Sequence, residues 1–160
     1  VAQDIVNSGL QLVVLGSGEA AYESFFSELA ARNPGAVGVK IAFVPSLARK
    51  IYAGADMFLM PSQSEPCGLA QMIALRYGTI PIVRETGGLR DSIHDAGDKN
   101  GNGFTFKSYN AHDMLDAVVR ARAYYDDKMK WGRLVNTALK QNFSWTKSAK
   151  DYIALYNDIH

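Results

Sequence analysis

The sequence predicts an α/β fold, a mostly parallel sheet with helices on both faces and a helical C-terminal segment. Five short apolar runs (Gln11–Leu15, Val37–Phe43, Met57–Met60, Ile80–Val83 and Gly103–Phe106) alternate with segments of helical spacing, and that alternation builds parallel strand–helix–strand units. Glycine and proline mark the joins, at Gly16-Ser17-Gly18, Asn33-Pro34-Gly35, Pro66-Cys67-Gly68 and Gly87-Gly88. The chain has 160 residues, 48% hydrophobic and 21% charged, the size and balance of one globular domain spanning 1–160.

Val1 to Ser8 reads as the tail of a helix, with Gly9 as its stop. Gln11–Leu15 is an apolar, partly β-branched run, hence a buried strand, and Gly16-Ser17-Gly18 turns it. Glu19 to Arg32 carries Tyr22, Phe25, Phe26 and Leu29 at helical spacing. The run from Val37 to Phe43 alternates Val37, Val39, Ile41 and Phe43, as a strand does. Pro45 and Ser46 open a helix to about Ala53, and the strand Met57–Met60 follows. Leu69 to Tyr77 is helical, Ile80–Val83 a short buried strand, and Leu89 to Ile93 a short helical stretch. Asp95 to Asn102 is rich in Gly, Asp, Asn and Lys and reads as a surface loop. After the strand Gly103–Phe106, Asn110 with Asp113 offers a capping box for a helix to about Tyr125. A second helix covers Lys128 to Lys140. Ser144 can cap a third, striped with Trp145, Ala149, Tyr152, Ile153 and Tyr156.

Composition excludes several classes. The formal net charge is +1, and no basic cluster points to nucleic acid. No apolar run approaches the roughly 18 residues of a membrane span. Cys67 is the single cysteine, so no internal disulfide forms and a reducing cytoplasm fits. The opening Val1-Ala2-Gln3-Asp4-Ile5 carries neither Met nor a signal-peptide pattern; it reads as a chain entered partway through a helix.

The chemistry concentrates at Glu65-Pro66-Cys67-Gly68-Leu69, between a strand and a helix. A helix start presents free N–H groups and attracts phosphate. Glu65 beside such a cradle suits a neutral, hydroxyl-rich group, such as a sugar. Its bland alternative is an exposed residue before a turn. The second strand–loop–helix unit carries Thr86, Gly87 and Gly88, where absent Cβ atoms let amides approach a ligand. Both loops would then sit outside the carboxyl ends of parallel strands. Together they suggest a nucleotide sugar.

Other signals are weaker. Gly16-Ser17-Gly18-Glu19-Ala20-Ala21 has the form Gly-x-Gly-x-x-Ala, which suggests NAD. The next strand, however, lacks the acid that would hold the ribose, and a tight turn is the plain alternative. Cys67 reads as a small apolar residue packed at a helix start. His94, His112 and His160 are scattered without metal-ligand spacing and read as surface residues. Phe43 is either core or a ligand-edge aromatic. Tyr124, Trp131 and Trp145 read as core. No acid pair or Ser/His/Asp arrangement suggests hydrolysis.

The ordered strings Pro61-Ser62, Glu65-Pro66-Cys67-Gly68-Leu69-Ala70-Gln71, Arg76-Tyr77-Gly78-Thr79-Ile80-Pro81-Ile82-Val83 and Thr86-Gly87-Gly88-Leu89-Arg90-Asp91 closely resemble bacterial glycogen synthases and plant starch synthases. Ala53-Gly54-Ala55-Asp56 and Phe143-Ser144-Trp145 join the likeness, which runs from about Leu12 to Tyr156. The resemblance implies one Rossmann-like half, the nucleotide-binding one, of a two-domain glycosyltransferase. It implies transfer of glucose from ADP-glucose to the non-reducing end of an α-1,4-glucan with retention, UDP-glucose being the second choice of donor.

By the same resemblance Glu65 is the catalytic carboxylate facing the glucose. Gly16, Gly18, Cys67, Gly68, Leu69, Thr86, Gly87 and Gly88 line the donor and its phosphates, and Phe43 lies against the base. No cofactor and no metal is implied, and the place is the cytoplasm, or the plastid in a plant. Related enzymes carry a second glutamate eight residues after the first; here that place is Ile73, so the ribose contact is unassigned. The family's phosphate-facing Arg and Lys-Gly pair, its acceptor domain and a mid-sheet strand all precede the position matching Val1. The expectation is therefore a fragment, inactive alone, with an open sheet edge or slot prone to strand sharing. A non-catalytic nucleotide-sugar or glucan-binding module is the alternative from another class, and an NAD-binding domain a third.

Overall fold

The computed structural model describes residues 1–159. In chain order the elements are α1 (Ala2–Asn7), β1 (Leu12–Gly16), α2 (Ala20–Arg32), β2 (Val37–Ile41), α3 (Pro45–Gly54), β3 (Met57–Met60), α4 (Ala70–Tyr77) and β4 (Ile80–Arg84). Then come α5 (Gly87–Ser92), β5 (Phe104–Phe106), α6 (Ala111–Asp126), α7 (Lys128–Leu139) and α8 (Trp145–Ile159). The fold is α/β with parallel strands and helices on both sides. His160, read above as a surface histidine, lies outside the described residues.

All strand pairing is parallel, but the sheet comes in two pieces. β1 pairs with β2, Leu12 opposite Val37 through Gly16 opposite Ile41. β4 lies between β3 and β5, with Met57 opposite Ile80 and Ile82 opposite Phe104. β4 is the buried centre, where Ile80, Ile82 and Val83 have almost no exposure. Pro81 sits one residue before the first β5 partner, Ile82, as suits a residue with no N–H to offer a ladder. Around β4 pack Leu75 of α4, Ala117, Val118 and Ala121 of α6, and Leu134 and Ala138 of α7. Thr79 is buried, and its hydroxyl lies 2.5 Å from the Tyr52 carbonyl and 3.0 Å from that of Ala55, tying the end of α3 to the start of β4.

Between the two pieces lies a cleft of about 1000 Å³, lined by Leu12, Val13 and Leu15 from β1 and Met57, Phe58 and Leu59 from β3. Neither strand has a partner on that side. This corrects the reading of β1 as a buried strand: Val13 is 57% exposed, because an apolar run becomes core only when something covers it. Two aromatics in the first half of α2 fare alike. Leu29 is buried while Tyr22 and Phe25 are exposed.

Several boundaries shift. β2 ends at Ile41, so Phe43 lies in the connection to α3. Gly103 makes an isolated bridge to Asp95, and the strand starts at Phe104. The Asn110 side chain accepts the N–H groups of His112 and Asp113, but its own N–H goes to Ser108, so only half of the capping box forms. Asp127 caps α7 by accepting from Met129 and Lys130. Trp131 is core, as expected; Trp145 is not, being 87% exposed on α8, which buries no residue. His94 and His112 are exposed. Among the described residues no helix is long and apolar enough to cross a membrane, and no group of three His, Cys, Asp or Glu could hold a metal ion.

Candidate functional site

The loop between β3 and α4 and the loop between β4 and α5 meet. Both follow the carboxyl ends of adjacent parallel strands, which is where a twisted parallel sheet opens a crevice. The Gly88 N–H donates to the Glu65 carbonyl at 3.2 Å. A Cβ on Gly87 would run into that same carbonyl, and a Cβ on Gly88 into the Cys67 carbonyl. The two glycines therefore let one loop lie directly on the other. This refines their expected role: the Gly88 amide is engaged within the fold rather than free for a ligand.

Arg84, at the end of β4, holds the incoming arm of the first loop. Its Nε donates to the Ser62 carbonyl at 2.9 Å and its Nη2 to that of Gln63 at 2.5 Å. The guanidinium also lies 5.7 Å from the centre of the Tyr109 ring. These bonds fix the arm that presents Glu65. The Glu65 side chain itself is half-buried, with no hydrogen bond and no ion pair among the described residues.

Gly68 takes φ +72°, a left-handed conformation open to glycine. It turns the chain into α4, and the N–H groups of Gly68 and Leu69 have no acceptor among the described residues. Leu69 is 67% exposed. Cys67 is exposed as well, which corrects the reading of a packed thiol: its Sγ makes a single weak hydrogen bond among the described residues, to the neighbouring Gly68 carbonyl at 3.8 Å. Thr86 is half-buried at the start of α5, and its hydroxyl does not cap that helix.

Gly16, Gly18 and Phe43 gather at the end of the other sheet piece. The Ala42 N–H donates to the Gly16 carbonyl at 3.0 Å, which sets Phe43 beside the Gly16 turn. Phe43 is 89% exposed, so the core alternative is wrong. No atom lies within 4 Å of a Cβ built on Gly16 or Gly18, and neither has positive φ, so the fold leaves open space before both. The Gly18 N–H is held at 2.8 Å by the Glu23 carboxylate, an internal anion at the mouth of α2. No hydrogen bond joins these three residues to the Glu65 and Thr86 loops.

A polar cavity of about 570 Å³ beside β5 is lined by Glu85, Asp95, Thr105, Lys107 and Arg120. Its groups mostly satisfy one another. Arg120 Nη1 donates to Asp95 at 2.8 Å, the Thr105 N–H to Asp95 at 2.9 Å, and the Thr105 hydroxyl to Glu85 at 2.8 Å. Burial pushes the Asp95 carboxyl up, but bonds from Arg120, Thr105 and Gly97 outweigh it and hold the group below its ordinary value. This cluster reads as structural, and Glu65 lies outside both cavities.

Three residues that the sequence reading passed over hold the site together: Arg84, Gln71 and Ser92. Gln71 was detectable. It falls on the same stripe of α4 as the buried Ala74 and Leu75, and a polar side chain on an apolar stripe signals a bonded role.

Residues 1–133 match the family described as glycosyl transferases group 1. Glycogen synthase of Geobacillus thermodenitrificans (strain NG80-2) is 52% identical over 161 residues, covering 99% of this chain and 33% of that protein. Glycogen synthase of Clostridium acetobutylicum is 50% identical over 162 residues, covering 99% and 34%. The chain thus spans about a third of the length of the curated relatives it matches. Among solved structures, the catalytic domain of starch synthase IV from Arabidopsis thaliana, bound to ADP and acarbose, superposes with a TM-score of 0.82 at 39% identity, covering 92% of this chain and 32% of that one. Anabaena Alr3699/HepE in complex with UDP-glucose, at 15% identity and a TM-score of 0.64 over 86% of this chain and 39% of that one, shares the fold.

Proposed function

The chain belongs to the group 1 glycosyl transferases, and on that premise we propose that residues 1–160 form the nucleotide-sugar-binding domain of a glycogen or starch synthase. The whole enzyme transfers glucose from ADP-glucose to the non-reducing end of an α-1,4-glucan with retention at the anomeric carbon. A cytoplasmic location goes with this reading, or a plastid in a plant.

One observation carries the reading: two loops locked together by Gly88 and Glu65 present unengaged amides at Gly68 and Leu69 next to a carboxylate with no internal partner. Amides at the start of α4 suit the diphosphate, and the exposed turns at Gly16 and Gly18 offer further room along it. Thr86 adds a hydroxyl from the neighbouring loop. Glu65 then meets the glucose, where its charge favours the oxocarbenium-like character that develops as the leaving diphosphate departs. Charge on the diphosphate is met by backbone dipoles here and by cations from the rest of the enzyme, so the scheme needs no metal. Phe43, exposed at the rim, offers a face for the base.

Under this scheme the acceptor site is built by another part of the enzyme, so residues 1–160 by themselves bind ADP without extending a glucan. Calorimetry with ADP, paired with an assay of ADP-glucose and glycogen, tests this. Glucan extension by the chain alone, or no heat with ADP, contradicts it. The NAD reading is disfavoured because β2, Val37–Ile41, carries no acid for a ribose.

A further inference from the structure

We propose that Gln71 is a positioning residue that fixes the spacing of the two amide-bearing loops, acting through Ser92. The inference deepens the diphosphate reading of those loops and rests on it.

Gln71 has no exposure at all. Its Nε2 lies 2.8 Å from the Gly68 carbonyl, 3.2 Å from that of Cys67 and 3.0 Å from the Ser92 hydroxyl. That hydroxyl donates onward to the Gly88 carbonyl at 2.6 Å, while the Gly88 N–H returns to Glu65 at 3.2 Å. The bonds run in sequence from Gly68 through Gln71, Ser92 and Gly88 to Glu65. They bridge α4 to α5 and the first loop to the second.

The other half of the same amide argues that the donors are what matters. Gln71 Oε1 is the one buried side-chain polar atom without a partner among the described residues. It faces Gly68, where a built Cβ would come within 2.5 Å of it. Leaving a buried acceptor unpaired is costly. A residue needed only to fill space on this stripe would be Leu or Met and would carry no such cost. The amide therefore acts through Nε2, by holding the carbonyls of Cys67 and Gly68 and with them the backbone that carries the Gly68 and Leu69 N–H groups.

Amide hydrogen exchange and ADP calorimetry on the chain, its Gln71→Met and Ser92→Ala variants and the double variant test this. Gln71→Met should raise exchange at Gly88 and Leu89, to which Gln71 makes no hydrogen bond, at least tenfold, and weaken ADP about tenfold, with exchange at Ile82 in β4 unchanged. Ser92→Ala, a milder change, should reproduce the Gly88 effect, and the two effects should not add. Unchanged Gly88 exchange in either single variant, full additivity, or equal loosening of Ile82 would overturn the role. Absence of ADP binding by the unaltered chain would defeat only the diphosphate reading, since the exchange comparison judges Gln71 independently.

Discussion

The Gly88 N–H donates to the Glu65 carbonyl at 3.2 Å, joining the loop that follows β4 to the loop that follows β3. This backbone bond joins the two loops directly, alongside the side-chain bridge through Gln71 and Ser92. Their geometry is accordingly sensitive to a single methyl group.

Gly88→Ala places a Cβ against the Cys67 carbonyl. The loops must part, at a cost of roughly 1–3 kcal/mol typical of overpacking. The expected result is a lower Tm and weaker ADP binding together, read by calorimetry on the same samples. Gly16→Ala meets open space and leaves Tm unchanged. If it weakens ADP binding, the turn at Gly16 faces the phosphates.

Glu65→Gln removes a charge that the fold does not use. Tm should stay within a degree or two. In the full-length enzyme turnover should fall by roughly two to three orders of magnitude, the scale of losing one preorganised electrostatic contact, with KM for ADP-glucose changing only a few-fold. Steady-state kinetics separates the two. An equal loss in KM with turnover retained would make Glu65 a binding residue only.

Phe43→Ala costs the fold little, since the ring is 89% exposed. A lost aromatic stacking contact is worth about 0.5–1.5 kcal/mol, so ADP should bind about two- to tenfold more weakly. Affinity for a ligand without a base, such as glucose 1-phosphate, should not change. Loss of affinity for both would move Phe43 away from the base.

Acid should loosen the β5–α6 junction. The Asp95 carboxyl is held below its ordinary value in the folded chain by Arg120, Thr105 and Gly97. A group with a lowered folded value stabilises above the unfolded pKa of about 3.9 and loses that contribution as pH falls through the folded one. Asp95→Asn should lower Tm at pH 7 and flatten its decline between about pH 5 and pH 3. Thermal melts across that range, compared with the unaltered chain, read the effect. Parallel curves would remove Asp95 as the source.

Much of the fold was legible because the signals are local. β4 reads as a buried strand from Ile80-Pro81-Ile82-Val83, and α4 ends at Tyr77, the bound expected for it, with Gly78 at φ +78° following. Lines that depend on what covers a face were not legible. Val13 and Trp145 are as apolar as Val83 and Trp131, yet one pair is exposed and the other buried. At the candidate site, residue types pointed to the loops. That Gly88 is turned onto Glu65 and that Gln71 reaches Ser92 is not written in any local run, because both are contacts between distant positions of the chain.

The cleft between β1 and β3 has a consequence for cooperativity. The two sheet pieces share no ladder, and the β1–β2 piece packs chiefly within itself, β1 on β2 and α2 on β2. A structure joined that loosely does not melt as one unit. The β1–β2 lobe should open first, at lower denaturant, carrying Gly16 and Phe43 with it, while the lobe around β4 keeps its slow amides to the end.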